Sequence, residues 1–366
     1  MKWTLVALVA SSLASIQAAL IPELEVRVEA QKGQVTLTWE AQSLLPADRG
    51  VMVPEYRLQG SDDLKVWEDT EQRIARQLTG TVETVSLSDD LSDQGKRYYR
   101  IVSVLDLSEA NLSNRDLSGI DFSGVDFSNA NLSNAILDGA DLTEANFNNA
   151  NLQSASFERA TMRLAILDGA DATGAQFRLA NIARGSAKDT TFRSSNFTDA
   201  DLDRIDTTGS DFTDATLEET RFKDATIRST NFTRARLREA NLGGANFSES
   251  IFVDCQMHEV DLDDEAKGND ADFTNADLSG ADCTQSSFKR ATFDSAILTN
   301  ADLRLADFES ADFTNANLSN INATAADFTN ATGTGMIVTN PFVFDGYTVK
   351  IYGQSGDGDL VWFIGF

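Results

Sequence analysis

The sequence predicts an all-β protein, a long repeat solenoid preceded by a small β-sandwich. Three observations predict it. From Leu107 onward a large apolar residue recurs at every fifth position for more than 150 residues. Upstream, between Leu24 and Leu105, apolar and polar residues alternate in short runs. The four prolines, Pro22, Pro46, Pro54 and Pro341, all lie outside the five-residue pattern, as a ladder of backbone donors requires.

The N-terminus reads as an export signal, residues 1–18. Lys2 supplies a positive start, residues 3–16 are mostly apolar or small, and Ala18 suits the position before cleavage. The run is too short for a membrane-spanning helix, and no other long apolar stretch follows, so the mature chain has no expected span. The alternative is an uncleaved anchor. No cysteine follows the apolar run, so a lipid anchor is not indicated. The expected location is periplasmic, cell-surface or extracellular.

Residues 20–105 form the first module. Leu24, Val26 and Val28 share one face of an alternating run, and Val35-Thr36-Leu37-Thr38-Trp39 alternates again. Tyr56-Arg57-Leu58, Leu64 to Trp67, Val82 to Leu87 and Tyr98 to Leu105 complete about six or seven short strands, the pattern of an antiparallel sandwich. The strand ending at Trp39 and the segment Tyr98-Tyr99-Arg100-Ile101-Val102 resemble the second strand and the tyrosine-capped corner of a fibronectin type III domain. That resemblance implies a spacer or adhesion module.

Residues 106–331 carry the repeat. The centres run from Leu107 through Leu112, Leu117 and Phe122 to Leu262, then restart at Phe273 and continue to Phe328. Two residues before each centre stands a small residue such as Ala130, Ala135, Ala140 or Ala276; Asp or Asn precedes the centre and Ser or Thr follows it. A period of five fits neither an α-helix nor a strand. The unit Ala-(Asp/Asn)-(Leu/Phe)-(Ser/Thr)-x resembles the pentapeptide-repeat family. The resemblance implies a right-handed quadrilateral β-helix with four units per coil, the centre and the small residue inward and the other three positions in water. Ala172, Ala187, Thr207 and Ala323 are weak centres that predict thin or bulged coils.

The spacing between Leu262 and Phe273 is eleven rather than ten, so one residue is inserted and a loop or bulge is expected to project there. Its acidic side chains, Asp261, Asp263, Asp264, Glu265, Asp270 and Asp272, are the candidate metal ligands, although the segment lacks the glycine and flanking helices of an EF-hand. A plain solvated loop is the competing reading.

The chain carries a formal net charge of −27. That charge disfavours nucleic acid as a partner and suits a cationic one. It is uneven. Asp plus Glu against Lys plus Arg count 9 and 1 over residues 106–158, 13 and 13 over 159–240, and 17 and 4 over 241–331. Catalytic constellations are absent: His258 is the single histidine, and no phosphate-binding glycine loop or CxxC occurs. No enzyme activity and no cofactor are expected. Cys255 and Cys283 fall at core positions and read as buried thiols.

Residues 332–366 read as a C-terminal hairpin, with strands around Tyr347 and Val361. It caps the last coil, or serves as a homodimer patch, or, third, ends in an outer-membrane-like Phe366. Function then divides three ways. An exported structural or interaction protein, meeting a protein or cell-surface partner, fits the signal and the missing chemistry. The family resemblance implies an alternative, an acidic DNA-mimicking rod that binds a type II topoisomerase such as gyrase. The acidic insertion suggests a cation-dependent surface protein.

Overall fold

The computed structural model describes residues 106–339 in full, and outside them the backbone of ten strands. The chain divides into two compact units, Met1–Leu107 and Ser108–Phe366.

In the first unit, strands β2 (Arg27–Gln31), β3 (Gln34–Glu40) and β6 (Thr84–Asp90) form an antiparallel sheet in the order β2-β3-β6. Strands β4 (Glu55–Ser61), β5 (Glu68–Ile74) and β7 (Tyr98–Val104) form another, joined by β1 (Ala7–Val9), in the order β1-β7-β4-β5. The side chains of Trp39 and Tyr98, on which the fibronectin-like reading rests, and the expected cleavage site lie outside the described residues. At the other end, β8 (Phe342–Phe344), β9 (Tyr347–Ile351) and β10 (Trp362–Phe363) make a three-stranded antiparallel sheet, one strand more than the expected hairpin.

Between them runs the solenoid. Parallel bridges join the first residue of each unit to the one twenty positions on, as in Asn111 with Asn131 and Asp116 with Ile136, so four five-residue units close one coil. Bridging continues to Ile337, beyond the 331 boundary read from the sequence. In nearly every unit the centre and the small residue are buried and the first, third and fourth residues face outward; Arg115, Ala326 and Phe328 are half-buried at inward positions.

In a unit that keeps the consensus Asp or Asn every N–H has a partner. In Asn131–Ala135 the Asn131 N–H donates to Ala110 O in the coil before at 2.8 Å. Leu132 and Asn134 donate to Asn151 O and Gln153 O in the coil after, at 2.8 and 2.9 Å. Ala135 N–H donates to Leu132 O at 2.9 Å, closing a four-residue turn whose third residue, Asn134, has φ 56. That left-handed third residue is the type II signature. The remaining N–H, of Ser133, donates to the side-chain Oδ1 of Asn131 at 3.1 Å. The Asp or Asn before the centre is therefore an Asx turn that completes the backbone accounting.

The core consists of stacked columns, one per face. On one face Phe192, Phe212, Phe232, Phe252, Phe273, Phe293 and Phe313 stack with ring centroids 4.7 to 5.0 Å apart. Offset stacking adds to the area that each ring removes from water. The weak centres do not bulge: around Ala172, Ala187, Thr207 and Ala323 the twenty-residue register is unchanged.

The insertion is a single-residue bulge and not a projecting loop. The turn after Leu262 holds two left-handed residues, Asp264 and Glu265, and pairing shifts to twenty-one residues from Asn246–Lys267 to Asp261–Asp282 before returning to twenty at Lys267–Ser287. Gly268 is the missing centre of the next unit. A Cβ there would collide with the Phe247 ring, which leans into the space and comes within 6.1 Å of Phe288, two coils away.

Candidate interaction surface

The outward side chains of the solenoid first serve the solenoid. Asp277 Oδ1 accepts from Ser279 N–H at 3.0 Å and from its hydroxyl at 2.5 Å, and the same pair recurs at Asp121, Asp141, Asn196 and Asp312. In four units whose first residue is not Asp or Asn, a neighbouring coil supplies the acceptor. Glu158 N–H donates to Asp138 Oδ1 at 3.0 Å, Lys188 to Asp168 at 2.9 Å, Lys223 to Asp203 at 3.1 Å and Lys289 to Asn269 at 2.9 Å. Sequence reasoning missed this exchange. Its signal was available: each of these four units follows, by twenty residues, a unit with Asp or Asn in third place.

Charged side chains pair mainly up and down the columns. Arg234 grips Asp214 through two bonds, 2.7 and 2.8 Å, and Arg290 grips Asp270 at 2.7 and 2.6 Å. Arg178 meets Glu158 at 2.7 Å, and Lys289 bridges Asp307 and Glu309 at 2.7 and 2.8 Å. These partners hold the Asp214 and Asp270 carboxyls below the usual range, the arginine hydrogen bond being the main cause. Exposed pairs of this kind each contribute little. Among the described residues Arg163 and Arg184 have no carboxylate within ion-pair distance, although both are exposed.

The six acidic residues around the insertion are dispersed. Asp261 accepts from Asn241 Nδ2 at 2.6 Å and from Asp263 N–H at 3.2 Å. Asp264 accepts from Lys223 Nζ at 2.8 Å, a reach of two coils that crosses the bare backbone of Gly243 and Gly244. Asp270 is taken by Arg290, and Asp272 closes its own turn with Thr274 at 2.9 Å. Glu265 is exposed in the bulge. Among the described residues no three His, Cys, Asp or Glu side chains are arranged to hold a metal ion. Partial burial, then the hydrogen bond and charge of Asp261 with Asp264 and Asp282 beyond, pushes the Asp263 carboxyl up to about 6.

The interior carries hydroxyls as well as hydrocarbon. At one corner Thr190, Ser210, Thr230 and Ser250 stand in successive coils and donate to main-chain carbonyls of the coil before: Thr190 to Leu167 O at 2.7 Å, Thr230 to Thr207 O at 2.8 Å, Ser250 to Ile227 O at 2.6 Å, and Ser210 to Ala187 O. Thr207 Oγ1 is buried without a partner among the described residues. Cys255 and Cys283 are buried free thiols, as expected. Burial pushes Cys255 up to about 12 and Cys283 higher still, which removes thiolate chemistry at neutral pH. His258 lies on the outer surface, half-buried.

Comparison with known proteins follows the same unit. A family model described as pentapeptide repeats matches residues 106–143, 145–182, 190–228, 230–264, 269–304 and 306–332, more than half of the chain. The chain belongs to the pentapeptide repeat family. Such proteins are generally structural or interaction proteins rather than enzymes. Among solved structures, HetL, a pentapeptide repeat protein involved in heterocyst differentiation regulation from the cyanobacterium Nostoc sp. strain PCC 7120, is 25% identical, with 51% of this chain and 86% of that one covered and a TM-score of 0.30. Full-length QnrB1, a plasmid-mediated fluoroquinolone resistance protein, is 20% identical over 63% of this chain and 92% of its own, with a TM-score of 0.21. A pentapeptide repeat protein of the Arabidopsis thaliana thylakoid lumen is 33% identical over 35% of this chain and 72% of its own, with a TM-score of 0.18. No curated protein sequence matches the chain. In this pentapeptide repeat protein the gap between matched blocks at 265–268 coincides with the bulge and Gly268.

Proposed function

We propose that this pentapeptide repeat protein is an exported, non-catalytic scaffold. Its solenoid presents a rigid polar surface to a protein or cell-surface partner, and residues 20–105 act as a β-sandwich docking module of fibronectin type III kind. The observation that carries the reading is the use of the outward residues. Carboxylates are tied into Asx turns and column ion pairs, and the two thiols are sealed in the core, so the chemistry-bearing groups maintain the rod. What they leave to a partner is shape and an uneven charge map. The test compares surface attachment of the full chain with that of a variant lacking residues 20–105. The variant keeps a folded solenoid and loses attachment; retained attachment refutes the division of labour.

A second reading is an acidic DNA mimic directed at a type II topoisomerase. The excess of carboxylates over residues 241–331, 17 against 4 cations, supports it, and the balanced 13 and 13 over 159–240 weighs against it. A gyrase inhibition or protection assay decides: no effect at micromolar protein ends this reading.

A further inference from the structure

One face of the solenoid is divided by charge along its length. Within the face, which runs from the unit of Asp121 to that of Asn322, eight consecutive units begin at Thr161, Asn181, Asp201, Arg221, Asn241, Asp261, Asp282 and Asp302, each bridged to the next, and the two units before them carry three carboxylates and no cation. Their outward positions in the first four units hold five cations and three carboxylates; those in the last four hold six carboxylates and one cation. The dividing point lies between the units of Arg221 and Asn241; in the latter, Gly243 and Gly244 add no side chain, and oxygens of Asp224, Asp263 and Asp264 lean over them. Two of the largest exposed apolar side chains flank the strip at matching distances from that point: Leu164, 44% exposed, in the first unit, and Leu305, 55% exposed, in the last. Both occupy the same turn position, with φ 60 in each case. A bulky residue in the left-handed region is disfavoured there, and its exposure offsets nothing within the chain.

We propose that this face is the contact surface for a second copy of the chain, laid antiparallel with its two-fold axis between the units of Arg221 and Asn241. A two-fold in the plane of contact pairs each unit with its mirror in the order of eight, and keeps each edge of the strip against the same edge of the partner. Leu164 of one copy then meets Leu305 of the other. Arg184, which has no ion pair of its own among the described residues, meets Gln285 with Asp282 beside it. Arg204 meets the turn of Asp264 and Glu265. Arg221 and Lys223, paired within their own chain to Asp201 and Asp264 respectively, come opposite the unit that holds Gly243 and Gly244. Like charges oppose at two places. Arg163 comes to Arg304, where Asp302 stands between them, already 2.7 Å from Arg304. Asp201 and Asp203 come to Asp261 and Asp263, where Arg221 already bridges the first two. Seven coil spacings of about 4.8 Å make a strip about 34 Å long. A contact of that kind is polar, and charge sets its orientation more than its strength.

The test is the mass of the full chain by sedimentation equilibrium at 20 mM and 500 mM NaCl. A dimer at low salt that dissociates at high salt is expected, because screening at the higher salt confines the interaction to a few ångströms. Arg184→Glu weakens the dimer at least tenfold, and Gln285→Glu strengthens it several-fold. Mild oxidation of the double variant Leu164→Cys, Leu305→Cys gives a disulfide-linked dimer, and neither single variant does. A monomer at low salt, a dimer indifferent to salt and to Arg184→Glu, or cross-linking of either single cysteine variant overturns the proposal. An indifferent dimer would instead place the contact in another segment such as residues 332–366.

Discussion

The buried hydroxyl of Thr207 offers the sharpest check on the interior. Thr207 is the centre of its unit, fully buried, with Ala187 and Ile227 in the same column one coil before and after. Its Oγ1 finds no partner, whereas the hydroxyl of Thr190 donates to Leu167 O at 2.7 Å. A buried hydroxyl without a hydrogen bond costs about 1–3 kcal/mol. Valine has nearly the same shape, so Thr207→Val removes that cost and leaves the packing intact. The expected gain is about 1–3 kcal/mol. With a urea m-value of about 2 kcal/mol per molar, the unfolding midpoint rises by about 0.5–1.5 M. Thr190→Val is the control. It loses a made bond, while Leu167 O keeps its bond from Ala170 N–H at 2.9 Å, so about 1 kcal/mol is lost. Both are read by urea unfolding of the full chain, followed by far-ultraviolet circular dichroism. Equal destabilisation by the two substitutions would refute the reasoning, since it would mean that the Thr207 hydroxyl is hydrogen-bonded.

Other substitutions test other parts of the structure. Phe232→Ala takes a ring from the middle of the seven-ring stack, where its neighbours are 5.0 and 4.9 Å away, and is expected to cost about 3–5 kcal/mol by urea unfolding. Asp277→Ala leaves the Ser279 N–H without its Asx acceptor and costs about 1 kcal/mol, whereas Asp277→Asn costs a few tenths because the acceptor oxygen remains. Asp263, with its folded pKa raised to about 6 from 3.8, holds its proton more tightly when folded. Its ionisation therefore destabilises the fold above about pH 6, and its contribution improves as pH falls through 6 towards 3.8. Asp263→Asn stabilises at pH 7.5 by less than about 1 kcal/mol after solvent screening, and the gain vanishes by pH 4; an equal gain at both pH values contradicts that coupling.

Much of the solenoid was legible because its period is long, regular and unlike that of helix or strand. Leu107 to Phe328 mark the inward columns, and the alanines mark most of the corners, a position that also accepts Val125, Ile205 and Val260. The bulge was legible only as an extra residue between Leu262 and Phe273. Its place depends on Gly268 acting as a centre, a role that no apolar pattern assigns to glycine, and on the Phe247 ring leaning in to fill the space. The Asp and Asn positions were visible as a consensus, but their function was not. That they satisfy the last N–H of the units that carry them emerges only once the other four donors are traced. The division of one face by charge was hidden for a different reason. Residues twenty apart become neighbours only when the coil is closed, and a count along the chain mixes all four faces.

Cell fractionation with N-terminal sequencing of the mature protein tests the proposed role most directly. The account predicts a chain that begins near Ala19 and lies outside the cytoplasm. A cytoplasmic protein that keeps Met1 contradicts it, and moves the topoisomerase reading ahead of the exported scaffold.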